Sequence, residues 1–124
     1  MLQQTTVKTV ENKILEIINI FPNFNSFKNK KLEQLLRVWS GLGYYNRAVN
    51  LFKAVTIINN KFNGVLPDNR DSLISLPGVG TYTSSAILAI GHNQKAFPID
   101  VNVKRLVERI SGAEFKDNEV ESIL

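Results

Sequence analysis

Three short segments of this 124-residue chain hold residue types in spacings that could do chemistry. The first is LPGVG, residues 76–80. Pro77 restricts the turn, while Gly78 and Gly80 permit positive φ angles and put no side chain above the backbone. A helix resuming at Thr81 would then present unpaired N–H groups from residues 78–82 and the positive end of its dipole, a place for a phosphate. Backbone contacts of that kind position a nucleic acid without reading its sequence. An ordinary interhelical turn has the same composition. The second is Asp100, which opens a helix. It reads as an N-cap, and equally as an ionised carboxylate held where it could stabilise an oxocarbenium-like sugar cation. The third is SGLGYYNRA, residues 40–48. Two glycines ahead of Tyr44 and Tyr45 could expose an aromatic ring to stack on bases or wedge between them; the other reading is a pair of half-buried core tyrosines. His92 stands alone in a turn, and Trp39 sits at the spacing of a core residue.

Helices must position these segments, since apolar residues recur with helical period throughout and no strand pattern emerges. Val7, Val10, Ile14, Ile17 and Ile18 make one stripe on a helix from about Thr6 to Ile20, which Pro22 and the FPNFNSF segment end as a loop with packed aromatics. A second helix runs from about Lys31 to Trp39 with Leu32, Leu35, Leu36 and Trp39 inward, and Ser40–Gly43 breaks it. A third starts near Tyr45, carries Ala48, Leu51, Val55, Ile58 and Phe62 on one face, and ends at Gly64 in a left-handed cap. Asp68 is placed to cap a short helix through Ser75 carrying Leu73, Ile74 and Leu76. Thr81–Ile90 is almost uncharged and reads as buried on most sides. After a turn between Gly91 and Pro98, the helix that Asp100 opens points Val103, Leu106, Val107 and Ile110 inward, and NEVESIL forms a last short one. The fold class is all-α, with about six or seven helices.

Composition narrows the function. With 44% hydrophobic and 21% charged residues the chain is globular rather than disordered. No apolar run reaches the roughly 18 residues of a membrane span, and MLQQTTVKTV has no basic-then-apolar stretch of the signal-peptide kind. The absence of cysteine excludes a disulfide scaffold, a thiol nucleophile, and a thiolate zinc site or iron–sulfur cluster ligated by these residues. Residues 1–70 carry ten Lys/Arg against four Asp/Glu, whereas residues 71–124 carry five against seven. A basic front half fits a polyanion such as DNA, or simply a solvated Lys-rich surface.

LPGVG followed by Thr81-Tyr82-Thr83, and about twenty residues beyond Gly80 an Asp opening PIDVNVKR, resembles the helix–hairpin–helix DNA glycosylase superfamily. MLQQTTV (residues 1–7) and WSGLGYYNRA (residues 39–48) are similar to its adenine DNA glycosylases, which remove adenine mispaired with 8-oxoguanine. The resemblance runs to about Gly112. It implies the central part of a helical barrel domain, residues 1–124 forming a single partial glycosylase domain, and a hydrolase acting on N-glycosidic bonds in base excision repair. It implies Asp100 as the catalytic aspartate and Asn102 as an asparagine that helps hold the site, although Val101 stands where the family usually has glycine. It implies phosphate binding by the amides of Gly78, Val79 and Gly80 after Pro77. Gln4, with Leu2 and Thr5, falls where the gap opposite the extruded adenine is filled, and Tyr44, ahead of Tyr45, falls on the wedging tyrosine. Where the bifunctional endonuclease III branch has an imine-forming lysine, this chain has Tyr82; a phenol cannot form that imine, so the hydrolytic, monofunctional reading follows.

The implied partner is double-stranded DNA with an adenine mismatch, in the cytoplasm or on a bacterial nucleoid, with no membrane involved. The family's general-acid glutamate lies two residues before the methionine matching Met1. The ligands of its four-iron four-sulfur cluster and its C-terminal recognition domain lie beyond Leu124. The resemblance thus implies a fragment without cofactor, metal ligands or those two domains, slow or inactive alone, with exposed apolar faces. Other expectations compatible with the residues are a non-catalytic DNA-binding remnant, a thymine-mismatch glycosylase or an endonuclease III-like member; the LQQT and GLGYY segments weigh against the last two.

Overall fold

The computed structural model describes residues 1–2 and 4–124, and every regular element among them is helical. The Cα trace divides into two compact units: Met1–Pro67 with Leu76–Gly78, and Asp68–Ser75 with Val79–Leu124.

In the first unit, α1 (Val7–Ile20) starts where the Thr6 hydroxyl accepts from the Thr9 amide. It packs on α2 (Leu32–Trp39), whose N-cap residue Lys31 donates its N–H to the Gln34 side chain. Of α1, Val10 and Ile17 are the residues buried. Val7, Ile14 and Ile18, expected inside, are exposed flanks. FPNFNSF is likewise not a loop: Phe24–Asn29 is a 3-10 helix, because Asn23 caps it through Ser26 N–H (2.9 Å) and Phe27 locks it down beside Phe21, ring centroids 4.5 Å apart. It rests on α3 (Asn46–Lys61), where the buried Asn59 amide donates to Phe24 O at 2.7 Å. Helix α3 ends at its C-cap Phe62, and Asn63 (φ +54°) turns left-handed one residue before the expected Gly64 (φ +75°), whose N–H bonds to Ile58 O (3.0 Å). Phe21, Phe27, Leu35, Val38, Trp39, Leu42, Ala48 and Val55 complete one apolar cluster with α1. Each large side chain so buried contributes roughly 1.5–3 kcal/mol.

In the second unit, α4 (Arg70–Ile74) is capped by Asn69, whose carbonyl accepts from Ser72 N–H (2.9 Å), and not by Asp68 as expected. The cap must sit one residue before the first helical residue, and the helix begins at Arg70. Leu73 is buried but Ile74 is exposed. Helix α5 (Thr81–Ala86) continues as one π turn, Ile87–Gly91. Ser84, Ser85 and Leu88 face inward, while Tyr82 and Ile90 are exposed, so this uncharged helix is covered on one side only. Helices α6 (Val101–Ser111) and α7 (Asp117–Ile123) pack together. No residue of α6 is fully buried: of the four apolar residues expected inside, Leu106 and Ile110 are exposed, the latter by 78%, and Val103 and Val107 are partly covered. A Lys104–Asp117 ion pair (3.1 Å) links the two helices at their surface.

Candidate functional site

The first constellation lies where the chain's start meets the turn between α2 and α3. Gly41 and Gly43 take φ of +91° and +67°, and Tyr44 follows at +47°. Gln4 is left-handed too, at +54°. For residues with a Cβ this conformation costs of order 1–3 kcal/mol and persists only where surrounding contacts enforce it. Both side chains are exposed, Tyr44 by 63%. With Tyr45, Asn46 and Arg47 they line one cleft of about 710 Å³. Tyr45 precedes the first residue of α3. Leu2 is exposed, whereas the Thr5 hydroxyl turns inward, donating to Leu42 O at 3.2 Å. Gln3 lies outside the described residues.

Sequence reasoning missed Arg47. It sits in the quoted GLGYYNRA segment, yet nothing in an isolated arginine tells which acceptors it reaches. Its Nη1 donates to Met1 O (2.6 Å), and its Nη2 reaches Thr5 Oγ1 (2.8 Å), Leu42 O (2.9 Å) and Gly43 O (3.1 Å).

The second feature is the bend before α5. Gly78 adopts φ +78°, and a Cβ there would stand 2.9 Å from Asn50 Cβ. Gly80, which permits a positive φ, does not use one and sits at −99°, ψ −171°. It is the N-cap of α5, and caps are extended. A Cβ at Gly80 would meet open space, so this glycine leaves the backbone open to approach from outside. Gly78 and Gly80 are exposed, and Pro77 and Val79 are half-buried. Gly78→Ala is expected to cost roughly 1–3 kcal/mol through left-handed strain and the Asn50 clash. Gly80→Ala should stay within about 0.5 kcal/mol. Urea midpoints of the two variants check this; equal midpoints would contradict it.

Asp100 caps α6 as expected. Its Oδ1 accepts from Val103 N–H (2.8 Å) and Asn102 N–H (3.0 Å), and its Oδ2 from Asn102 Nδ2 (3.2 Å). The group is fully exposed, yet its pKa lies below the ordinary 3.8, chiefly because of the Val103 amide, with the Asn102 side chain and amide adding to it. A carboxylate with a depressed folded pKa supports the helix at pH above its unfolded value and loses that support as pH falls through the folded one. The helical signal of α6 should therefore hold to below pH 3.8 and fade under it. In Asp100→Asn that acid-side loss should vanish, which circular dichroism against pH can check.

Tyr82 is 50% exposed and lines a separate cleft of about 380 Å³ with Phe97, Ile99, Asn118 and the Arg70–Glu121 pair. Arg70 donates through both terminal nitrogens to the two Glu121 oxygens and through Nη2 to the buried Ser85 hydroxyl (3.1 Å). Ile99 directly precedes Asp100, so the loop entering α6 forms part of this cleft's wall. The structure thus pairs Gln4 with Tyr44, and Asp100 with Asn102. Among the described residues no cluster of His, Asp and Glu could hold a metal ion, and no helix is long and apolar enough to cross a membrane.

A glycine bend ahead of a helix, with an N-capping aspartate opening the next, is the arrangement the sequence resemblance implies, and a family model decides the matter. The model for HhH-GPD superfamily base excision DNA repair proteins matches residues 1–124. The chain belongs to that superfamily. Proteins named adenine DNA glycosylase from two Buchnera aphidicola subspecies, Baizongia pistaciae and Acyrthosiphon pisum, are 40% and 44% identical to it over its whole length. These matches span 35% and 36% of those relatives. The Homo sapiens adenine DNA glycosylase is 35% identical over 89% of this chain and 20% of its own length. The chain therefore spans about a third of the bacterial relatives it matches. A trapped endonuclease III–DNA covalent intermediate superposes with a TM-score of 0.84, 27% identity, and coverage of 98% of this chain and 58% of that one. A thermostable thymine-DNA glycosylase shares the fold, with a TM-score of 0.85 at 22% identity, over 98% of this chain and 59% of that one. The HhH-GPD fold is thus all-helical here, as its sequence pattern required.

Proposed function

We propose that residues 1–124 are a partial glycosylase domain of an adenine DNA glycosylase, the part that grips a duplex and carries the catalytic carboxylate. Its substrate is double-stranded DNA with adenine opposite 8-oxoguanine or guanine, met on chromosomal DNA in the cytoplasm or nucleoid. The observation that carries the reading is Asp100: an ionised carboxylate, oriented by Asn102 and Val103 at a helix start, in a chain whose relatives are named adenine DNA glycosylase.

The glycosidic bond is out of reach inside the base stack, so the nucleotide must be flipped out. Backbone amides of Gly78, Val79 and Gly80, shaped by Pro77, hold the phosphates. Tyr44 wedges the stack, and Gln4 with Leu2 and Thr5 fills the gap opposite the flipped base. The bond between adenine and C1′ then breaks with its electron pair leaving on the base, which takes up a proton. Asp100 stabilises the resulting oxocarbenium ion, Asn102 holds Asp100 in place, and the oxygen of water bonds to C1′ as water gives up one proton to solvent, offsetting the one the base took up. Tyr82 lies beside the extruded nucleotide without forming an imine, so the strand stays uncut. The chain has no cysteine, so the four-iron four-sulfur cluster that the resemblance implies for the family finds no ligands in these residues, and no step depends on it.

A single-turnover panel tests the assignment. The gene product should release adenine from 8-oxoguanine·adenine duplexes faster than thymine from guanine·thymine ones; the reverse order would make it a thymine-mismatch enzyme, and binding without release a remnant. The resemblance also puts the proton donor ahead of Met1. The 124-residue polypeptide alone should therefore run about 10²–10⁴-fold slower than a version extended upstream by a relative's glutamate-bearing segment. Equal rates would contradict that.

A further inference from the structure

We propose that Arg47 is a positioning residue whose guanidinium locks the Gln4 segment to the Tyr44 turn, so that the two DNA-facing side chains act as one unit. The proposal rests on the reading above that Gln4 and Tyr44 meet the duplex.

Arg47 divides its hydrogen bonds between two stretches of chain. On one side are Met1 O and Thr5 Oγ1, which bracket Gln4; on the other are Leu42 O and Gly43 O, which immediately precede Tyr44. Gln4 and Tyr44 are themselves left-handed residues with a Cβ, conformations that need enforcement from outside. The enforcement comes from the same place. The guanidinium stands 5.5 Å from the Trp39 ring centroid and 5.7 Å from that of Tyr44. Trp39 Nε1 donates to the Gly43 carbonyl that Arg47 also serves (3.1 Å), and Thr5 Oγ1 bridges directly to Leu42 O.

A charge committed to three backbone carbonyls and a hydroxyl of the protein itself is placed to fix shape. The fork sets two donor nitrogens against four acceptors: Nη2 spans both stretches and Nη1 adds Met1 O. A lysine keeps the charge but ends in one freely rotating nitrogen, so it cannot hold that set of four in place and the clamp loosens. The consequence is energetic coupling: moving Tyr44 should move Gln4.

The test is a double-mutant cycle in the protein as its gene encodes it. Dissociation constants, corrected for active fraction, would be measured on a duplex pairing 8-oxoguanine with a non-hydrolysable adenine analogue. With Arg47 present, the combined loss from Gln4→Ala and Tyr44→Ala should differ from the product of the single losses by about threefold or more. In the Arg47→Lys background the losses should multiply to within about twofold. Thr5→Val, which removes the shared hydroxyl while keeping its volume, should weaken the coupling in the same direction and serves if Arg47→Lys folds poorly. Should Arg47→Lys lower thermal stability and leave the non-additivity intact, Arg47 is a structural residue only and the proposal is wrong. If neither Gln4→Ala nor Tyr44→Ala weakens binding, the DNA-facing assignment itself fails and takes this proposal with it.

Discussion

Asp100→Asn is expected to slow adenine release by about 10²–10³-fold while leaving α6 in place. The substitution separates two duties of one side chain. As an N-cap, asparagine is as good as aspartate, and its carbonyl can still accept from the Asn102 and Val103 amides that Oδ1 holds now. What it removes is the negative charge, the only property the oxocarbenium ion requires. The exposed position of Asp100 and its depressed pKa keep that charge present at any pH where the protein is used. Single-turnover rates on an 8-oxoguanine·adenine duplex, with the helical signal measured beside them, check both halves. A rate within a few-fold of the parent's would show that the charge is idle; collapse of the helix would show that the cap had been misread.

The second large effect is structural. Trp39→Ala is expected to cost about 3–5 kcal/mol, a large share of the 5–15 kcal/mol that holds a typical domain. The side chain is 1% exposed in the centre of the apolar cluster of the first unit. Its indole N–H also fixes the Gly43 carbonyl, one residue before Tyr44. Trp39→Phe keeps most of the packing and loses the donor, so it should cost only about 1–2 kcal/mol, because Gly43 O retains its bond from Arg47. Urea denaturation ranks the two. A Trp39→Ala variant within about 1 kcal/mol of the parent would mean the ring is not a core residue.

Local rules made much of this legible in the sequence. The cap at Asp100, the left-handed backbone at Gly64 and Gly78, and the break after Trp39 depend on a few neighbouring residues, and the chain obeys them. Asn69 displaced Asp68 because two adjacent residues can both cap, and only the helix start chooses between them. At Gly80 the residue type permits a positive φ that the cap position does not use, while the open space above it is what a glycine there allows. Burial was less legible. The stripes of α1 and α6 are truly apolar, but which of their residues end inside depends on the width of the helix packed against them, and Ile14, Ile18, Leu106 and Ile110 fall outside it. The 3-10 helix at Phe24–Asn29 hid behind Pro22 and its asparagines, since its stability comes from Phe27 meeting Phe21. Arg47 was the deepest omission, because one of its acceptors lies 46 residues away in sequence. The candidate chemistry at Asp100 was readable as a residue type in a place; its orientation by Asn102 needed coordinates.

The most direct test of the whole account is product analysis after one turnover on a duplex bearing adenine opposite 8-oxoguanine, using the protein as its gene encodes it. Free base is separated by chromatography, and the strands are run with and without alkali. The account predicts free adenine and a strand that stays intact until alkali cuts it at the abasic site. A strand cut equally without alkali, or a duplex held tightly with its adenine still attached, would contradict it.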